Sequence, residues 1–253
     1  MKCFKVVFFT CVAVIFGGCA TLDVPEVPQL SIPANAKVGM LINVGDNPTH
    51  AHVGTTLLNN FSKKYPYDWN MKEAIFQVYK EQIESSTNLD VIDLQSFGIK
   101  TASELDFVDI KDEQWSIVEA NSNLKNNLTE ENIYAVITVT EKPTLAQIEC
   151  GAVGCSERYI DGFGLFSRGF LGIKNFTATA GFEVTAEIIN PPVELSAQQT
   201  LRNLANYQSK SKIMKGFKAQ DLKNVTDQEL APVKAHILQY IQSVAEATSD
   251  FLK

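Results

Sequence analysis

Residues 175–190 read NFTATAGFEVTAEIIN. Phe176, Ala178, Ala180, Phe182, Val184, Ala186 and Ile188 share one parity, and Thr177, Thr179, Gly181, Glu183, Thr185 and Glu187 share the other. Successive side chains of a strand point to opposite faces, so the alternation predicts one long strand with a buried and a wet face. Pro191 and Pro192 end it, because proline cannot donate to a ladder. Upstream, 158–166 reads as a second long strand and 167–174, with Gly169 and Gly172, as the connector. Together they predict a long antiparallel hairpin over about 158–190.

The first half has a different rhythm. VGMLINV at 38–44 is a short apolar run ending in Gly45-Asp46-Asn47-Pro48, a strand running into a turn, and 52–65 pairs back as its neighbour. Asn70 with Glu73 three residues on predicts a helix start, and Met71, Ile75, Val78, Tyr79 and Ile83 then fall on one face. Trp69, beside Tyr67, is placed to pack on its first turn. A strand at 89–94, a helix at 115–124 and the apolar strand IYAVITVT at 133–140 follow. Thr226 and Glu229 form a capping box, after which Val233, Ile237, Tyr240, Ile241, Val244, Thr248 and Phe251 trace the stripe of a closing helix. Strand and helix alternating over a hundred residues predict an α/β fold, a single mixed sheet with parallel strands, the hairpin and covering helices, as one domain over 37–253.

The chain has 253 residues, 45% of them hydrophobic, which suffices for a sizeable core. Lys plus Arg is 22 against 29 Asp plus Glu, a net charge of -7 that argues against general nucleic-acid binding. At the N-terminus, Lys2 and Lys5 precede an apolar stretch at 6–16 that ends in Gly17-Gly18-Cys19, the layout of an export signal. Eleven helical residues at about 1.5 Å each fall short of the ~30 Å hydrocarbon core, so the stretch does not read as a permanent membrane span. Its small-small-Cys ending resembles the lipobox of bacterial lipoproteins. That resemblance implies a signal peptide at 1–18, lipidation (palmitate among the acyl chains) at Cys19, and, with Ala20 rather than Asp next, an outer-membrane destination facing the periplasm. The covalent lipid is the only group expected on the chain, and it supplies the membrane attachment. Residues 19–36, with Pro25, Pro28 and Pro33, read as an extended tether.

The lipidated cysteine, proline tether, opening VGMLINV strand, hairpin and closing helix are similar in order to the α/β domain shared by three groups. These are the curli-secretion lipoproteins, the lipoprotein activators of penicillin-binding proteins and the N-terminal domain of the Tol-Pal propeller protein. The Gly45-Asp46 turn, the HVGTT stretch at 52–56 and the GFGLF stretch at 162–166 resemble uncharacterised bacterial lipoproteins. The resemblance implies a location and a fold more than an activity.

Five cysteines remain to be divided. Cys3 and Cys11 leave with the signal and Cys19 is acylated, so Cys150 and Cys155 remain in CGAVGC, where an oxidising compartment favours a structural disulfide. A redox-active pair would show C-x-x-C spacing at a helix start. His50 and His52, an H-x-H pair on a strand with Asp46 across the turn, are the candidate metal or catalytic site; the alternative is a polar turn tied down by Asp46, His50, Thr55 and Thr56. Neither a third local ligand nor an H-E-x-x-H pattern accompanies the pair. The tip at 165–173 carries Phe166, Arg168, Phe170 and Leu171, an aromatic and arginine composition that suits an interface, though the loop could equally fold back on the sheet. Arg202, Lys210, Lys212, Lys215 and Lys218 form a basic run that reads as a solvated loop. The resulting expectation is an outer-membrane lipoprotein acting as a non-catalytic interaction or envelope-assembly module, through an envelope protein partner or self-association. The rivals are a metal-dependent hydrolase or metal-binding protein using Asp46, His50 and His52, and an oligomeric secretion ring.

Overall fold

The computed structural model describes residues 24–33 and 35–253. The signal expected at 1–18 and the lipidation expected at Cys19 lie outside the described residues. In chain order the strands are β1 (Lys37–Asn43), β2 (Thr49–Val53), β3 (Phe61–Lys64), β4 (Asp90–Asp93), β5 (Val108–Lys111), β6 (Gln114–Ile117) and β7 (Ile133–Glu141). They continue with β8 (Thr144–Gly151), β9 (Gly154–Ile160), β10 (Gly164–Phe170), β11 (Ile173–Thr179), β12 (Phe182–Ile188), β13 (Val193–Glu194) and β14 (Ser211–Ile213). The helices are α1 (Met71–Ser86), α2 (Ser122–Glu130), α3 (Gln199–Leu204), α4 (Tyr207–Lys210) and α5 (Asp227–Asp250). None of the described helices is long and apolar enough to cross a membrane.

The chain is mixed α/β, with parallel and antiparallel strands, but the strands do not form the single sheet expected. One five-stranded sheet has the order β13-β12-β7-β1-β4 and a second the order β14-β11-β10-β2-β3, with β5-β6 and β8-β9 as separate ribbons. The cause lies in 175–190, which is two strands. β11 pairs with β10 in the second sheet, whereas β12 pairs with β7 in the first. The chain crosses at Gly181, where a Cβ would overlap the carbonyl oxygen of Gly162, so no other residue lets the two segments approach. Backbone groups at the crossing stay paired, each bond extending a ladder by one residue: Ala180 N–H donates to Lys210 O (2.8 Å) beside β14, and Gly181 O accepts from Lys142 N–H (2.9 Å) beside β7.

The hairpin is correspondingly shorter than 158–190. β10 and β11 are joined by Leu171 and Gly172, both with positive φ (47° and 86°), as a two-residue hairpin turn requires. Most of the expected connector at 167–174 is therefore strand. The expected wet face is covered only in part: Thr177, Thr179 and Glu187 are buried, Thr185 is half-buried and Glu183 is exposed. The β8-β9 ribbon packs Ala146 and Ile160 over Phe166 of the second sheet, and Phe107, Val108 and Leu128 cover the outer face of the first. Cys150 and Cys155 face each other at the ribbon's end, their sulfurs 2.06 Å apart.

Parallel pairing of β1 with β4 and β7 makes the centre of the first sheet, where Ile133 to Val139 is buried without interruption. Met40, Ile137 and Val139 pack with Ile75 and Tyr79 of α1 and Ile237 and Ile241 of α5. Full burial of each such side chain contributes about 1.5–3 kcal/mol. The Thr226–Glu229 capping box of α5 is present. Asn70 stands at the N-cap of α1, but its side chain makes no capping bond: it sits in the left-handed region (φ 45°), and its N–H donates to Asp68 Oδ1. No helix spans 115–124. Asp112 and Glu113 take positive φ (50° and 60°) and turn the chain into the β5-β6 ribbon, so that Trp115 lies in a strand and α2 starts only at Ser122.

The described part of the expected tether is docked on the domain. Val27, Leu30 and Ile32 pack against the main core, Pro25 O accepts from Gln198 Nε2 (3.3 Å), and Glu26 O accepts from Trp115 Nε1 (3.1 Å).

Glu187 is a buried acid under the first sheet. Its Oε2 accepts from Phe107 N–H (2.9 Å), while burial, with Asp106 and Glu194 nearby, pushes its carboxyl up to about 8. The unfolded chain therefore ionises first as pH rises, and the native state loses stability between about pH 4.5 and about pH 8. Glu187→Gln keeps an acceptor for Phe107 and cannot ionise. Urea unfolding across that window should show the variant gaining on the wild type by roughly 3–5 kcal/mol; parallel stability curves would refute the assignment.

Candidate functional site

The second sheet assembles a chain of polar side chains that are distant in sequence. β2 lies parallel to β10 with His52 opposite Ser167, and antiparallel to β3 with His50 opposite Lys63. Alternation therefore puts His50 and His52 on the same face as Ser167, and Tyr65, just past β3, closes the row. Ser167 Oγ lies 2.7 Å from His50 Nε2 and 2.7 Å from His52 Nδ1, and Tyr65 Oη lies 3.1 Å from His50 Nδ1. Tyr65 Oη also accepts from Val225 N–H (3.3 Å), which ties the row to the start of α5.

His50 and Ser167 are fully buried and His52 is 6% exposed. Phe61 packs edge-on to His50 and stacks on His52, with ring centroids 5.1 and 5.2 Å away. Burial, then His52, then Lys63 hold His50 down at about 3. Burial first, then Lys174, lower His52 as well, while the backbone of Ser167 opposes them. Both rings are thus neutral near pH 7, and a neutral imidazole carries a single N–H. Only two proton orders satisfy the row. In one, Tyr65 donates to His50, His50 to Ser167 and Ser167 to His52, leaving Nε2 of His52 a donor. In the other, every donor is reversed and Nε2 becomes an acceptor, so the row can relay one proton's position without gaining charge. It does not present Ser167 Oγ to a substrate, because that oxygen is sealed.

The expected Asp46, His50, His52 trio is not brought together. Asp46 stays in its turn, where its carbonyl accepts from Trp69 N–H (3.0 Å) and its Oδ1 is buried without a hydrogen-bond partner among the described residues. His50 spends both ring nitrogens on Ser167 and Tyr65. No group of three His, Cys, Asp or Glu side chains is placed to hold an ion among the described residues. Thr55 joins the hairpin tip, its Oγ1 accepting from Leu171 N–H (3.3 Å). Trp69 is a core residue that packs on Phe163 and donates from Nε1 to Asp227 Oδ1 (2.8 Å).

The tip divides. Phe166 is buried, and Arg168 folds inward onto Glu149 and the carbonyls of Val53, Gly54 and Gly169, whereas Phe170 and Leu171 are exposed. The basic run is not one loop either: it passes through α3, α4 and β14, with Lys212 opposite Ala178 on the sheet. Ser167 and Tyr65 were hidden from the sequence reading by separations of 117 and 15 residues from His50. The available signal was Ser167 itself, a small hydroxyl inside the apolar run LFSRGF.

Comparison with known proteins finds no match: no family model, curated protein or solved structure matches this chain.

Because the folded-state value for His50 lies below the ordinary 6.5, the unfolded chain takes up the proton first on acidification, and the native state loses stability as pH falls from about 6.5 toward about 3. The sense is opposite to that of Glu187. Lowering the pH from 6.5 to about 4.5 should cost the wild type roughly 2–3 kcal/mol that His50→Gln does not lose. Denaturant unfolding at several pH values reads this difference, and equal pH slopes would contradict it.

Proposed function

We propose that this chain is an outer-membrane lipoprotein, held by lipid on Cys19, whose periplasm-facing α/β domain is a non-catalytic interaction or envelope-assembly module. The observation that carries the interaction reading is the surface at the hairpin end of the second sheet. Leu57 and Leu58 are 87% and 96% exposed on one loop, and Phe170, Leu171 and Ile173 are 54%, 75% and 68% exposed on the neighbouring tip. The Thr55–Leu171 hydrogen bond joins the two loops, so both sets of exposed side chains stand at the same end of the second sheet. Contiguous apolar groups on surface loops are a mark of partner contact, and the aromatic ring supplies an anchor. The sealing of Ser167 and His50 supports a role without catalysis. The export layout of the first 19 residues and the resemblance of Gly17-Gly18-Cys19 to a lipobox support the placement.

The test is photo-crosslinking in the cell. A crosslinking residue at Leu58 or Leu171 should yield the same discrete adduct. One at Val153, an equally exposed apolar side chain on the β8-β9 turn, should not. Phe170→Asp should abolish the adduct while leaving the protein folded; identical patterns from all three positions would overturn the interaction reading. In the same cells, Cys19→Ala should move the protein out of the membrane fraction, and its retention there would overturn the anchor.

A further inference from the structure

Between the loop at 57–59 and the hairpin tip lies a groove of about 440 Å³, within the ~300–1,000 Å³ typical of small-ligand sites. His52 lies in its lining. Nδ1 of that ring is taken by Ser167, while Nε2 makes no hydrogen bond among the described residues. Gly169 keeps the ring edge uncovered, because a Cβ there would stand 3.3 Å from Cε1 of His52. Phe61, Phe170 and Ile173 supply apolar wall.

The charge of the groove is unbalanced. Lys174 and Lys223 line it, both exposed, and neither ammonium is in an ion pair among the described residues. Asp221 is the one acid in the lining, and its oxygens are occupied: Oδ1 accepts from Lys223 N–H (2.9 Å) and Oδ2 from Asn224 Nδ2 (2.6 Å). Two free ammonium groups, a free imidazole nitrogen and an apolar wall fit one class of ligand. We propose that this groove binds a small organic monoanion, a carboxylate on an apolar body, with the carboxylate held by Lys174, Lys223 and Nε2 of His52 and the body against Phe61, Phe170 and Ile173. A neutral imidazole can donate Nε2–H to a carboxylate, and one of the two proton orders of the hydrogen-bonded row behind it supplies the tautomer that does so. This site stands on the groove's own residues and does not depend on the membrane anchor or on a protein partner.

Isothermal titration of the whole chain, purified in nonionic detergent, with 4-phenylbutyrate and its uncharged amide tests the proposal, with protein-free detergent as the blank. The acid should bind about tenfold or more tightly than the amide at low salt, and the gap should close as salt is raised. Lys174→Gln with Lys223→Gln, two exposed changes that leave the core intact, should reduce the acid to the level of the amide. Imidazole NMR signals of His52 should move on adding the acid while those of His236 stay. Equal binding of acid and amide, no binding of either, undiminished acid binding by the double variant, or an unmoved His52 signal would each overturn the proposal.

Discussion

The rest of the structure depends on one close approach of backbone to backbone. At Gly181 the chain leaves the second sheet for the first, and it does so against the carbonyl of Gly162, with no room for a side chain between. A few residues away, Gly164 (φ 139°) passes Thr49 so closely that a Cβ would overlap the Thr49 carbonyl. Those two contacts fix how β10 lies beside β2. That register brings Ser167 opposite His52, and a slip of one residue would turn the serine to the β8-β9 side and take from both buried imidazoles the hydroxyl they share.

Cover over part of both faces of each five-stranded sheet explains why polar side chains recur in the interior. A buried polar group costs roughly 1–3 kcal/mol unless it is hydrogen-bonded. Glu187 finds the backbone of Phe107, Thr138 finds Thr185 (2.6 Å), and the histidines find Ser167 and Tyr65. The helix-covered face of the first sheet is almost wholly apolar, and the polar exceptions gather where ribbons and short turns, rather than long helices, form the cover.

Elements governed by local pattern were legible in the sequence. The stripe of α1, the capping box of α5 and the apolar strands at 38–44 and 133–140 each follow from spacing alone. What was not legible depends on distant neighbours. The alternation in 175–190 continues through Gly181 without a break, so nothing in its period reveals that its halves belong to different sheets. The threonine face looks wet because only a ribbon from 144–160 makes it dry. Residues 115–124 read as a helix, but the left-handed turn at Asp112 and Glu113 folds their first part back as β6. At the site, the H-x-H pair was visible. Its partner was not, because the parallel pairing that supplies Ser167 joins strands separated by more than a hundred residues.

The docked segment at 24–33 has a mechanical meaning. It is fastened by two side-chain hydrogen bonds, from Gln198 and Trp115, and by three apolar residues, rather than by a strand ladder. A pull on the N-terminal end would load these fastenings one after another, as in peeling, instead of all together, as in shearing. The segment therefore yields first and absorbs the displacement. Tension reaches β1, at the centre of the first sheet between β4 and β7, only after the slack is gone.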